Sequence, residues 1–391
     1  MHEVMWTDGT EDAGGAGGSV VSSRSGVSSG NGRAQEPLSR SARRKNEHLA
    51  LARKFYDAEA RNDFDEVHLI RRTLPGTTVS ADSIRTEFFG VPVAAPFFIN
   101  AMTGGSSKSA EINAALARVA ARHHIAMALG SANIVSREPE ALATFSVARE
   151  ENPDGALLVN VNPTTPLDTV KLLVRELKPA AVQVHVNAVQ ELVMPEGDRD
   201  FQWLRHIANI AENVEVPVIV KEVGFGFDEH SLELLLDAGI RIVDVAGAGG
   251  TNFARIENSR RSARDFDYLD GIGLSTVKSL FNARRVNRRQ GHSAPLTVIA
   301  SGGVRNPLDV IKSLALGAKF VGVSNGFLQV LRTQGEEALD EAVTRWVDHV
   351  AGLTALYGAR SLNEIRDVHY YLGTDLVSYL EQTGPHAAQL L

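Results

Sequence analysis

The feature that most constrains this chain is an alternation. Eight short runs of apolar, often β-branched residues recur along it, and longer stretches with helical spacing lie between them. The runs are PFFINAM (96–102), IAMALGSAN (125–133), ALLVNVN (156–162), AVQVHV (181–186), PVIVKEV (217–223), IVDVAG (242–247), TVIASGG (297–303) and FVGVSN (320–325). Ile112, Leu116 and Val119, within 109–123, show the one-face spacing of an amphipathic helix. Further helices are expected after Glu138, Pro166, Phe201, Asp228, Leu274 and Pro307, several opening with a proline or an acidic residue. Eight strand–helix units in succession predict a closed (β/α)8 TIM barrel over 96–391, with its C-terminal helices. An open doubly wound sheet would also accept eight units, but the GxGxxG turn expected after its first strand is absent. Residues 41–95 precede the barrel as a helix and a short extended cap.

Composition narrows the reading at the edges. Gly and Ser fill 15 of the first 40 positions, with few large apolar side chains, so 1–40 is expected to be a disordered leader. The net charge of -7 gives no reason to expect nucleic acid as a partner. With no cysteine, disulfides, thiolate metal sites and cysteine nucleophiles are excluded. The acidic first fifteen residues are no secretory signal. The longest apolar run, VPVAAPFFI (91–99), is far short of the ~20 residues that span a bilayer. A soluble cytoplasmic protein with no membrane partner is expected.

A barrel enzyme builds its site at the C-terminal ends of its strands. Here those ends are polar and glycine-rich: Asn100 to Gly105, Gly130 to Asn133, Asn160 and Asn162, Lys221-Glu222, Gly247 to Asn252, Ser301 to Arg305, and Ser324 to Gly326. The turns after strands seven and eight have the form that binds a phosphate, with glycines admitting backbone amides and a helix start adding positive potential. Lys221 follows four apolar residues and is costly to bury without an anion. At a strand end it can stabilise negative charge on the N1/O2 side of a flavin ring. On strand four, Gln183, His185 and Asn187 alternate with valines, so all three share one face. Turned to the barrel mouth they form a polar site. Glu191 follows, a lone carboxylate of the kind Mg²⁺ accepts beside water and phosphate oxygens. RRKNEH (43–48) reads by default as a solvated basic run, and functionally as a diphosphate clamp over the mouth.

Several of these segments, RKNEH (44–48), INAMTGG (99–105), QVHVNAVQE (183–191), MPEGDR (194–199) and VKEVGFG (220–226), together resemble the type 2 isopentenyl-diphosphate Δ-isomerases. AGAGGTNFARIEN (246–258) and ASGGVRNPLDVIKSLALGA (300–318) extend the resemblance, which runs over about 43–372. It implies an FMN-dependent barrel that interconverts isopentenyl and dimethylallyl diphosphate, needs reduced flavin and Mg²⁺, draws on NADPH to reduce the flavin, and forms homotetramers or homooctamers. By resemblance, Ala101, Met102, Thr103, Ser131, Asn160, Lys221 and Thr251 contact the flavin. Gly302, Gly303, Arg305, Ser324 and Asn325 match its phosphate end. Arg44, Lys45, His185, Asn187 and Gln190 match the substrate site, and Glu191 the Mg²⁺ ligand. The strand-two turn GSANIVSREP falls where the family varies, so Asn133 receives no role.

Two rival readings are separable. The FMN-dependent 2-hydroxy-acid oxidases share the strand-five lysine and the phosphate turns, but carry a catalytic histidine after strand six. Here that turn is AGAGGTN, with no histidine from Asp244 to Gln290. Inosine-monophosphate dehydrogenases need a cysteine that is absent. A barrel that binds phosphate or flavin without catalysis would need neither the strand-four file, nor Glu191, nor the basic segment.

Overall fold

Each of the eight apolar runs forms a strand: β1 (Phe97–Ile99), β2 (Met127–Ser131), β3 (Leu157–Val161), β4 (Ala181–Val186), β5 (Val218–Glu222), β6 (Ile242–Asp244), β7 (Thr297–Ser301) and β8 (Phe320–Val323). All pair in parallel with their sequence neighbours, and β8 returns to β1 through Val323 opposite Ile99, closing the barrel. That closure is the difference between the expected fold and an open sheet. The computed structural model describes residues 40–57, 59–289 and 294–384. The leader expected over 1–40 lies outside the described residues except for Arg40.

The helices begin where the local chemistry allows. They are α1 (Arg40–Lys54), α2 (Ser107–Arg122), α3 (Ala143–Glu151), α4 (Leu167–Leu177), α5 (Ala188–Val193), α6 (Leu204–Asn213), α7 (Glu229–Asp237), α8 (Phe253–Arg260), α9 (Thr276–Arg288), α10 (Pro307–Ala315), α11 (Asn325–Gln334), α12 (Glu336–Leu356), α13 (Leu362–Ile365) and α14 (Thr374–Gln382). Ser106, Asp228 and Ser275 cap α2, α7 and α9 by accepting from first-turn amides. The short helices α5 and α8 sit inside the loops after β4 and β6. Too few turns long to show a period, they were not expected from the sequence.

The barrel interior is built in two layers, and the period of two along each strand dictates it. Phe98, Ala128, Leu158, Ala181, Ile219, Ile299 and Phe320 form one apolar layer. A hairpin, Thr86–Phe88 against Val91–Val93, plugs the N-terminal end beneath it, and the Phe88 ring lies 4.4 Å from that of Phe320. Two residues further along the strands the chemistry changes to Asn100, Asn160, Gln183, Lys221, Asp244 and Ser301, all buried. β8 contributes Gly322 at this level, where a Cβ would stand 2.4 Å from Asn100 Nδ2. A side chain there would displace Asn100, so glycine makes room for the polar layer.

The segment before the barrel wraps it from mouth to base. α1 lies across the strand ends: Asn325 Nδ2 reaches Ala52 O at 3.3 Å and Arg332 Nη1 reaches Leu49 O at 2.9 Å. Asn62 bridges the turns after β6 and β7, donating to Gly249 O and Gly303 O. Val67–Leu69 then pairs antiparallel with Tyr370–Leu372 before the hairpin plugs the base.

Candidate active site

Lys221 ends β5 inside the barrel, and the anion it needs is Asp244 on the neighbouring strand. Lys221 Nζ lies 2.9 Å from Asp244 Oδ2, with Lys221 6% exposed and Asp244 fully buried. Lys221 also donates to Ser301 Oγ at 3.1 Å and Glu222 O at 3.3 Å. Ser301 Oγ donates to Asp244 Oδ1 at 2.6 Å, and Asn100 Nδ2 to Asp244 Oδ2 at 3.2 Å. Four of the six polar-layer residues, Asn100, Lys221, Asp244 and Ser301, thus form one network drawn from four strands. Glu222 points the other way, as alternation requires. It accepts from the amides of Phe225 and Gly226, and burial pushes its carboxyl up to about 8.

The strand-four file occupies the adjoining wall. Asn160 Oδ1 lies 2.7 Å from His185 Nδ1, and Asn160 Nδ2 donates to Gln183 Oε1 at 3.3 Å. Gln183 Nε2 is buried with no partner among the described residues. Burial pulls His185 down to about 4, and the cations Lys45, Lys221 and Arg44 add to that against a backbone hydrogen bond at Val161. His185 is therefore neutral at pH 7. Asn187 is spent differently: its Oδ1 caps α5 at the Gln190 amide, 2.8 Å, and its Nδ2 donates to Val223 O, 2.8 Å.

α1 brings its basic run to this wall. Lys45 Nζ donates to Ser131 O at 2.5 Å, and burial, reinforced by Arg44, lowers its ammonium to about 7. Arg44 Nη1 lies 3.5 Å from Met194 Sδ and 3.8 Å from Glu196 Oε1. Behind them Glu257, buried on α8, gathers His48 Nε2 at 2.8 Å, Gln190 Nε2 at 2.9 Å and Arg260 Nη1 at 2.5 Å. Burial raises that carboxyl, but the His48 bond together with Arg260 and Gln190 outweighs it, so Glu257 stays below the usual range. Glu191 is half-buried on α5; its Oε2 accepts from the Asp198 amide at 2.8 Å, and burial raises its carboxyl. Among the described residues no cluster of three or more His, Asp or Glu side chains is placed to hold a metal by itself.

On the opposite wall, Ala101 N donates to Asn100 Oδ1 at 2.8 Å, Met102 packs on the main core, and Thr103 Oγ1 lies 2.8 Å from Ser109 Oγ. Thr251 lies in the turn after β6, immediately before Asn252, which caps α8. Gly302 and Gly303 take the positive φ values of 86° and 73° in the turn after β7. A Cβ on Gly302 would stand 2.2 Å from Gly247 O, so the two turns meet only because it is glycine. Arg305 does not offer its guanidinium to the mouth: it grips Asp65 at 2.7 Å and Asp309 at 3.1 Å, with a further bond to Ala60 O. Asn306 caps α10 through the amides of Leu308 and Asp309. By contrast α11 starts at Ser324 and Asn325 with no side-chain cap.

Asp244 and Glu257 are thus part of the site beyond the residues singled out from sequence, and Asn100, Ser301 and His48, which the sequence placed in polar strand ends and the basic run without a role of their own, join them. The signal for Asp244 was present: in IVDVAG it breaks an apolar run at the alternate position, as Gln183 does on β4.

Residues 50–184 and 137–371, overlapping stretches that span most of the chain, match the model of the FMN-dependent dehydrogenase family. The mandelate oxidase structure with (S)-mandelic acid superposes with a TM-score of 0.56 at 16% identity, covering 84% of this chain and 90% of that one. A lactate oxidase of Pediococcus acidilactici gives 0.60 at 18%, covering 84% and 94%. At such identities the likeness is one of fold. The class is an eight-stranded barrel of the FMN-dependent dehydrogenase type. Closer in sequence is the isopentenyl-diphosphate delta-isomerase of Limosilactobacillus reuteri (strain DSM 20016), 44% identical over 346 residues, 88% of this chain and 98% of that protein. The protein of the same name from Streptomyces sp. (strain CL190) is 41% identical over 346 residues, 88% and 93% of the two chains. The chain belongs to the isopentenyl-diphosphate delta-isomerase family.

Proposed function

We propose that this protein is an isomerase that interconverts isopentenyl and dimethylallyl diphosphate, with reduced FMN in the barrel mouth, Mg²⁺ at Glu191 and NADPH as the flavin reductant. The observation that carries the reading is the delivery of Arg44 and Lys45 by α1 onto the wall that holds His185, Gln190 and Glu191. Two cations there match the multiple negative charge of a diphosphate, which exceeds that of a hydroxy acid's single carboxylate. The turn after β6 lacks the histidine that hydride abstraction would require.

The mouth fits FMN on observations of its own. Gln183 Nε2 is an orphaned buried donor. Lys221 stands in the interior among Asn160, Gln183 and Ser301, and the uncapped start of α11 suits a phosphate. Ala101, Met102, Thr103, Ser131, Asn160, Lys221 and Thr251 would line the flavin, with Ser324, Asn325, Gly302 and Gly303 at its phosphate. Arg305 belongs to this end by holding the turn, through Asp65 and Asp309. Reduced FMN, when bound, supplies acid–base and electrostatic support beside the alkene with no net redox change.

The chain's own residues do the positioning. Arg44 and Lys45 neutralise the diphosphate, which reacts nowhere and orients the carbon chain. Lys45, lowered to about 7, regains its proton preference when that anion arrives. His185, with its Nδ1 side tied to Asn160, gains a second proton only under the same influence. Asn187 acts at one remove, by fixing the start of α5 and so the placement of Gln190 and Glu191. Glu191 offers Mg²⁺ one hard oxygen ligand and leaves the remaining shell to water and the diphosphate. Assembly as a homotetramer or homooctamer belongs to the same reading.

The test is an anaerobic incubation of isopentenyl diphosphate with the protein, FMN, Mg²⁺ and NADPH, each omitted in turn, following dimethylallyl diphosphate. Product that disappears without FMN, without Mg²⁺ or without reductant is expected. Full product formation with flavin left oxidised, or none with flavin bound and reduced, rejects the reading.

A further inference from the structure

A buried ion pair is a poor way to stabilise a barrel. Replacing such pairs by packed apolar residues is often neutral or stabilising, so one held by four strands asks for another reason. Asp244 receives four donors: Lys221 Nζ at 2.9 Å and Asn100 Nδ2 at 3.2 Å on Oδ2, and Ser301 Oγ at 2.6 Å and the Ala246 amide at 3.3 Å on Oδ1. Gly322 keeps the space that Asn100 needs to reach it. Asp244 itself is fully buried beneath the mouth, behind Lys221.

We infer that Asp244 is a positioning residue for the bound cofactor: through Lys221 it sets how readily the reduced flavin holds its proton at the N1–O2 edge. The inference rests on the reading that FMN occupies the mouth. A lysine alone would present a full positive charge to the ring and favour its anion. Paired with Asp244, it presents a dipole, whose field at the ring is weaker and falls faster with distance. The pair therefore fixes the position of the Lys221 ammonium, whose three hydrogens go to Asp244, Ser301 and Glu222 O, while leaving the flavin able to hold or release a proton, which suits a reaction that moves protons and no electrons. The sign of the effect follows from charge alone: removing a negative charge from a buried site favours an anion bound there.

The test is Asp244→Asn, which keeps the shape and an acceptor oxygen and removes the charge. The absorbance of protein-bound reduced FMN is followed anaerobically against pH. The variant is expected to lose the N1 proton at least about one pH unit lower than the wild type, a tenfold shift. Ser301→Ala, which keeps both charges, shifts it by much less. An unchanged titration accompanied by a lower melting temperature overturns the inference, because a purely structural pair would behave so. Where Asp244→Asn retains no FMN, the charge-balanced double variant Lys221→Met/Asp244→Asn decides. Recovery of FMN affinity about tenfold over the worse single variant supports the coupling, and no recovery overturns it. A wild-type protein that takes up no FMN is seen before any variant is compared, and overturns the cofactor reading together with the inference.

Discussion

The turns after β7 and β8 look like a matched pair in the sequence and are unlike in the fold. Both carry glycine and both lead into a helix. After β7, however, the helix start is already in use: Asn306 accepts from its first amides, and Arg305 is gripped by Asp65 and Asp309. After β8, α11 begins with no side-chain cap. A helix start attracts a phosphate through unsatisfied amides. One whose amides and flanking cation are already paired has little left to offer. The β7 turn builds the wall and ties down the segment before the barrel, and the β8 turn is the better receptor.

Ser324 separates the two turns most visibly. Ser324→Asp places an acidic cap where the phosphate would sit, and should weaken FMN binding on the order of 100-fold without lowering the melting temperature. Flavin fluorescence titration with a parallel thermal melt reads both. Next in size is Arg305→Ala, which takes the guanidinium from buried Asp309 and leaves it the amide of residue 305. With Arg305 and Asp65 each keeping a fifth or more of their surface exposed, it should cost about 2 kcal/mol of stability and leave FMN affinity within about threefold. Its pH dependence sharpens the point. The Arg305 hydrogen bond holds Asp65 down to about 2, against an ordinary 3.8. That contribution is complete above the ordinary value and lost as pH falls toward about 2. The deficit of the variant in urea unfolding should therefore be full at neutral pH and shrink in acid. Smallest is Asn306→Ala, with ~1 kcal/mol lost at the α10 cap and no change in FMN affinity. If Arg305→Ala or Asn306→Ala weakened FMN more than Ser324→Asp, the roles of the two turns would be reversed.

The barrel was legible because each strand is a short apolar run, and closure adds only the β8–β1 pairing. The polar upper layer was half legible. Lys221 announced a need for an anion, yet nothing local says that Asp244, 23 residues on, supplies it. Arg305 shows the same limit more sharply. By resemblance it matches the phosphate end, and only the folded path of the chain brings Asp65, 240 residues earlier, against it. Asn187 shares the face of Gln183 and His185 by alternation, but β4 ends at Val186 and the next residue is a helix cap. Period two cannot show where a strand stops.

This barrel shares the fold of mandelate and lactate oxidases, yet the proposed reaction moves a double bond and transfers no electrons to the substrate. The direct test is the ratio of NADPH oxidised to dimethylallyl diphosphate formed, with anaerobic enzyme, FMN, Mg²⁺ and excess isopentenyl diphosphate. Many turnovers are expected for each NADPH, with consumption ending once the flavin is reduced. One NADPH oxidised for every substrate molecule converted would contradict the proposed reaction.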